Sequence, residues 1–158
     1  MKHFFVLITI WCALASATLA HARDWPYNES ADAKAELAQA MAAAQASHKP
    51  VLLIFGANWC EDCRALDAAL KKGRTAQLLA AEFQLLKVDV GNFDRNLDVV
   101  SRFDNPIKRG IPAAVLLGPD QGVVWATRAG ELANARQLSD DGVAQLLRHA
   151  LELLRSRQ

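Results

Sequence analysis

The sequence predicts an α/β protein in which one mixed central sheet is flanked by helices on both faces. Three observations carry this expectation. Residues 51–55, Val-Leu-Leu-Ile-Phe, form an unbroken apolar run between Pro50 and Gly56, the pattern of a strand buried on both sides. Segments of helical composition alternate with strand-like segments, which demands crossover connections and parallel pairing. Two further apolar segments, 113–117 and 123–127, flank Gly-Pro-Asp-Gln-Gly at 118–122, a hairpin by composition that adds antiparallel pairing.

The elements follow in order. Residues 23–30 read as an extended lead-in. Residues 31–46 are rich in Ala, Leu, Met and Gln, all good helix formers, with Leu37, Met41 and Ala44 on one face. His48-Lys49-Pro50 ends that helix. After the 51–55 strand, a helix is expected over 60–70 and is broken at Gly73, with Thr75 capping a second piece through Ala80. Residues 83–90 read as a strand. Residues 94–103 read as a helix with Leu97, Val100 and Phe103 on one side. The last helix is the clearest: Val143, Leu146, Leu147, Ala150, Leu151 and Leu154 keep the spacing of one helical face. Ser139 suits its cap, and Arg155 and Arg157 lie where cations complement the helix dipole.

The N-terminus has the layout of a secretory signal: Lys2, an apolar core from Phe4 to Leu14, then small residues ending Ala20-His21-Ala22. The apolar run falls short of the roughly 20 residues of a membrane span, although an uncleaved anchor is the competing reading. Cleavage after Ala22 is expected, giving a signal peptide at 1–22 and one domain at 23–158, exported to the periplasm with no membrane span. The full chain carries 18 Lys+Arg and 17 Asp+Glu, and the leader removes only Lys2. A domain balanced at 17 and 17 has no electrostatic footprint for nucleic acid or an anionic membrane.

Three cysteines are encoded, and Cys12 lies in the leader. The domain keeps Cys60 and Cys63. A two-residue spacer closes too small a loop for much chain-entropy stabilisation, so the pair suits opening and closing more than stapling. Trp59-Cys60-Glu61-Asp62-Cys63 follows a buried strand and opens a helix. The unpaired N–H groups and partial positive charge of a helix N-terminus favour a thiolate. Cys60 falls at the exposed tip and Cys63 one turn inward. Cys60 would attack a substrate disulfide and Cys63 would resolve the mixed disulfide. A lone CxxC is a weak signal; in this strand–turn–helix context, behind an export signal, it is a strong one.

These residues resemble the thioredoxin family, and in particular its bacterial periplasmic thioredoxin-like group, over about residues 32 to 155. Phe55-Gly56-Ala57-Asn58-Trp59-Cys60 is similar to the stretch that leads into the family's redox pair. Lys87-Val88-Asp89 resembles its second-strand lysine segment, and Ala126-Thr127-Arg128-Ala129-Gly130 the stretch before its last helix. Gly110-Ile111-Pro112 matches the family's Gly-Ile-Pro, whose proline is cis and faces the disulfide. Lys49-Pro50-Val51-Leu52 and the broken helix after Cys63 are similar to the C-terminal domain of the electron transporter DsbD. The resemblance implies a thioredoxin fold and thiol–disulfide oxidoreductase activity on protein thiols and disulfides. It implies Cys60 and Cys63 as the redox-active disulfide, Trp59 shielding it, and Ile111 and Pro112 facing the substrate chain. It implies no cofactor or metal. An upstream membrane or periplasmic electron donor and a monomeric state are expected.

Two departures matter. The family's buried acid on the first strand is replaced by Ile54. The usual proton acceptor for Cys63 is then missing, water, Glu61 or Asp62 being possible substitutes, and Lys87 loses its usual partner. The spacer Glu61-Asp62 places two carboxylates beside Cys60, which opposes its thiolate and points to a reductant, as does Ile111 before the proline. A structural zinc needs four Cys or His ligands gathered at one site, and beyond the cysteine pair the domain offers only two scattered histidines, His48 and His149. A two-thiolate copper(I) carrier and a redox-inactive binding module of the same fold are the rival readings.

Overall fold

The computed structural model describes residues 25–157; the expected leader lies outside them. Helix α1 (Ala33–Ser47) is capped by Asp32, whose carboxylate accepts from the N–H groups of Lys34 and Ala35. It ends at His48, which takes the left-handed conformation at φ 56°. Strand β1 (Val51–Gly56) follows. Helices α2 (Glu61–Leu70) and α3 (Gly73–Glu82) lead to β2 (Gln84–Asp89), and α4 (Leu97–Ser101) with a 3₁₀ turn (Pro106–Arg109) leads to β3 (Ala113–Leu117). Strand β4 (Val123–Ala126), a second 3₁₀ turn (Ala135–Gln137) and α5 (Asp140–Arg155) complete the chain.

The sheet has the order β2-β1-β3-β4. β1 is parallel to β2, pairing Ile54 with Lys87 and Gly56 with Asp89. It is antiparallel to β3, which pairs antiparallel with β4. The mixed thioredoxin fold expected from the sequence is the fold observed. Every residue of β1 and β3 is buried, as central strands covered on both faces must be. Each large apolar side chain of β1 contributes roughly 1.5–3 kcal/mol by leaving water. Helix α1 lies against β1 and β2, while α2, α3 and α5 contact one another, with α3 on β2 and α5 on β4.

Three expectations are corrected. The helix expected over 94–103 is only Leu97–Ser101. Turns fill 91–96, where Gly91, Phe93 and Asn96 all have positive φ. Leu97 is exposed, and the buried side is Val99, Val100 and Phe103. Thr75 does not cap α3: it is buried inside the helix, which begins at Gly73 after Lys72. Gly73 has φ 51°, a conformation glycine adopts without steric cost, and this turns α3 away from α2. In α5, Ser139 does cap the helix, accepting from the Gly142 N–H at 3.0 Å. No helix among the described residues is long and apolar enough to cross a membrane.

This topology sends the carboxyl end of β1 into the turn Ala57-Asn58-Trp59 and straight into α2. In open α/β sheets the carboxyl ends of strands are where ligands and reacting groups collect.

Candidate active site

Cys60 is the N-cap of α2. Its backbone is extended at φ −73°, ψ 117°, and its Sγ accepts the Cys63 N–H at 3.2 Å. The sulfur thus occupies the place where a helix end offers unpaired donors. On its other side the Cys60 thiol donates to the Ile111 carbonyl at 3.6 Å. Both cysteines are free thiols. The expected asymmetry is present in a milder form. Cys60 is not an exposed tip, being only 6% exposed, while Cys63 is 0% exposed. Burial first, and then the bond Cys63 donates to Cys60, pushes the Cys63 thiol far above its ordinary value.

The groove over Cys60 is lined by Trp59, Glu61, Asp62, Phe93, Ile111 and Arg136. Trp59 is 53% exposed, yet fixed. Its indole N–H donates to the Gly91 carbonyl at 2.9 Å, and its ring meets Phe93 edge-on at 6.2 Å. Arg64 holds the turn beneath, donating to the carbonyls of Asn58 and Trp59 at 2.8 and 2.9 Å. The Ile111–Pro112 peptide bond is cis, and both residues are buried beside the pair. The redox-site residues and the substrate-facing residues named from the sequence are therefore brought together in one place.

The acidic spacer is not bare. Arg136, in the second 3₁₀ turn, lies across it: its side chain bonds Glu61, and its Nε and backbone N–H bond Asp62 at 3.2 and 2.9 Å. One cation thus offsets one of the two carboxylates beside Cys60. Both acids are engaged by Arg136.

Beneath Cys63, beside the Ala57 backbone N–H, lies the polar side chain of Tyr27, from the lead-in. Its hydroxyl faces the Cys63 sulfur across Gly56, and the residue is 3% exposed. Gly56 makes room for this contact. A Cβ there would lie 2.2 Å from the Tyr27 hydroxyl and 2.9 Å from Cys63 Sγ. Tyr27 is tied to the active-site turn by Asn58, whose side chain accepts the Tyr27 N–H at 3.0 Å and donates to its carbonyl at 2.9 Å. Lys87 does not lose its partner, as the sequence suggested. It forms an ion pair with Asp67, one turn beyond Cys63 on α2, and Asp67 also takes Lys71 at 2.9 Å. Burial alone would raise the Asp67 carboxyl, but hydrogen bonds from the two lysines hold it below the usual carboxylate range.

Tyr27, Asp67, Phe93 and Arg136 were not found from the sequence. Asp67 had a usable signal, since it follows Cys63 by four residues and so shares its helix face. The other three reach the site through loops whose positions depend on the whole fold.

Comparison with known proteins agrees with this geometry. The family model described as Thioredoxin-like matches residues 32–119. The crystal structure of a disulphide isomerase from Xylella fastidiosa Temecula1 is 48% identical, with a TM-score of 0.79, over 81% of this chain and 98% of that one. The solution structure of a Thermus thermophilus thioredoxin, 22% identical over 73% of this chain and 82% of that chain, has a TM-score of 0.52 and supports the fold alone. The thiol:disulfide interchange protein DsbD 1 of Pseudomonas aeruginosa is 28% identical over 120 residues, 73% of this chain; those residues span only 18% of that longer protein. With more than half its length matched and its cysteine pair at the head of α2, the chain belongs to the thioredoxin-like family.

Proposed function

We propose that this protein is exported by a signal peptide at 1–22 and acts in the periplasm, as a monomeric domain of residues 23–158, to reduce or isomerise disulfides of protein substrates. Cys60 attacks the substrate disulfide and Cys63 resolves the mixed disulfide. Trp59, Ile111 and Pro112 receive the substrate chain. Electrons return through an upstream membrane or periplasmic donor, and no cofactor takes part.

The observation that carries this reading is the setting of Cys60. Its sulfur caps α2 and lies 3.6 Å from the Ile111 carbonyl, so a substrate strand laid along Ile111 brings its own disulfide to the nucleophile. The likeness to a disulphide isomerase and to a thiol:disulfide interchange protein supports exchange with protein disulfides. The reducing direction rests on Ile111 before the proline and on the spacer acids, one of whose charges Arg136 offsets. Equilibration against glutathione tests it. The potential is expected nearer thioredoxin, about −270 mV, than the oxidant DsbA, about −120 mV. A value above about −150 mV, between those references, would contradict the reducing direction.

A further inference from the structure

We propose that Tyr27 is a catalytic residue of the resolving step, its hydroxyl donating a hydrogen bond to the Cys63 sulfur as that sulfur becomes a thiolate. The proposal rests on the reading that Cys60 and Cys63 exchange disulfides, and it concerns the second half of that exchange.

The geometry is built for this contact. First-strand Ile54 offers no polar atom, and Cys63 is fully buried, so a negative sulfur there is costly unless a donor faces it. The Ala57 backbone N–H is one such donor, and the Tyr27 hydroxyl is the side-chain one. That hydroxyl is placed by three features outside the cysteine motif: the two Asn58 bonds at 3.0 and 2.9 Å, the absent Cβ of Gly56, and the lead-in itself. Arg95 steadies that lead-in, donating to the Glu29 carbonyl at 3.2 Å. Tyr27 also lies outside residues 32–119, the part matched by the family model.

The direction of donation follows from the electrostatics. Burial first, and then the charges of the two sulfurs, pushes the Tyr27 phenol well above its ordinary value, so it keeps its proton. It is a donor, not the base. A hydrogen bond to the charged form of a thiol favours that form, and the Tyr27 bond opposes the rise that burial imposes on Cys63. In the step itself, Cys63 loses its proton to solvent and attacks Cys60 Sγ. The Cys60–Cys63 bond forms and the bond from Cys60 to the substrate sulfur breaks. The substrate sulfur leaves as a thiolate, which takes up a proton from solvent. The substrate disulfide is reduced and the cysteine pair oxidised.

The test separates the two halves of the reaction. Reduced protein is mixed in a stopped-flow instrument with dithiobis-nitrobenzoate, an aromatic disulfide that releases one coloured thiolate when Cys60 attacks and a second when Cys63 resolves. For Tyr27→Phe, the first phase is expected to keep its wild-type rate. The second is expected to slow about tenfold, the scale of a lost hydrogen bond to a charged group, with its pH–rate profile moved to higher pH. Gly56→Ala, which drives a methyl into the hydroxyl, is expected to reproduce the slow second phase. A Tyr27→Phe protein whose second phase and pH profile match wild type would overturn the proposal. Equal slowing of both phases would do the same, since it marks a merely structural role. Absence of any second phase in the wild type would instead sink the exchange reading itself.

Discussion

Replacing Asp67 with Asn isolates the ion pair that fastens α2 to the sheet. Asp67 is 8% exposed, and the Lys87 side chain it meets is 20% exposed. Its second partner, Lys71, is 50% exposed and sits four residues on along the same helix. An exposed pair of that spacing contributes only about 0.3–0.5 kcal/mol. The Lys87 pair is different, because removing the anion leaves a mostly buried ammonium without a charged acceptor, a loss of about 1–3 kcal/mol. Asn keeps one acceptor oxygen, so the total is about 2 kcal/mol. For a domain of this size that corresponds to a fall in Tm of roughly 6–10 °C.

The same ion pair makes stability depend on pH. The folded-state pKa of Asp67 lies below its ordinary value. Its contribution is therefore complete above the unfolded carboxylate value of about 3.9 and is lost as pH falls through the folded value. Asp89 runs the other way: burial raises its carboxyl, so the folded state holds that proton more tightly and gains relative stability as pH falls. Asp89 is common to both proteins and cancels in the difference. Denaturant unfolding at several pH values should show a gap between wild type and Asp67→Asn that is constant from pH 7 to about 5 and shrinks below about 4. A gap of the same size at pH 3 and pH 7, or no gap at pH 7, would refute the reasoning.

Two further outcomes are expected. Arg136→Met removes the cation that offsets the spacer acids, so alkylation of Cys60 should slow about threefold at low ionic strength, taking a charge about 7 Å away in bulk-like dielectric; the difference should vanish near 1 M salt, and an unchanged rate at low salt would show that Arg136 does not act on the sulfur. Phe93→Ser shortens the apolar wall that continues from Trp59, so kcat/KM for a protein disulfide should fall about fivefold while that for glutathione disulfide is kept; an equal fall for both would assign Phe93 to the fold.

The parts legible in the sequence are those written in local pattern. The buried run Val51–Phe55, the face of α5 and the CxxC at a strand–helix junction each declare themselves within a few residues, and the Gly-Ile-Pro segment does so by resemblance. The failures share a cause. Residues 94–96 read as the start of a helix, although positive φ at Gly91, Phe93 and Asn96 keeps 91–96 in turns. The bare acidic spacer became an Arg136-covered one because that arginine comes from 74 residues downstream. The extended lead-in carries no periodicity, yet it places Tyr27 against Cys63 through an asparagine 31 residues away. Contacts of that separation depend on closure of the whole fold, and no window along the chain contains them.

In the proposed exchange Cys60 is the attacking sulfur and Cys63 the resolving one. The most direct test mixes reduced Cys63→Ala protein with insulin and maps the covalent adduct by peptide mass. A stable mixed disulfide is expected on Cys60, and none when Cys60→Ala protein is used instead. An adduct carried by Cys63 in the Cys60→Ala protein, or no adduct with either variant, would contradict this assignment.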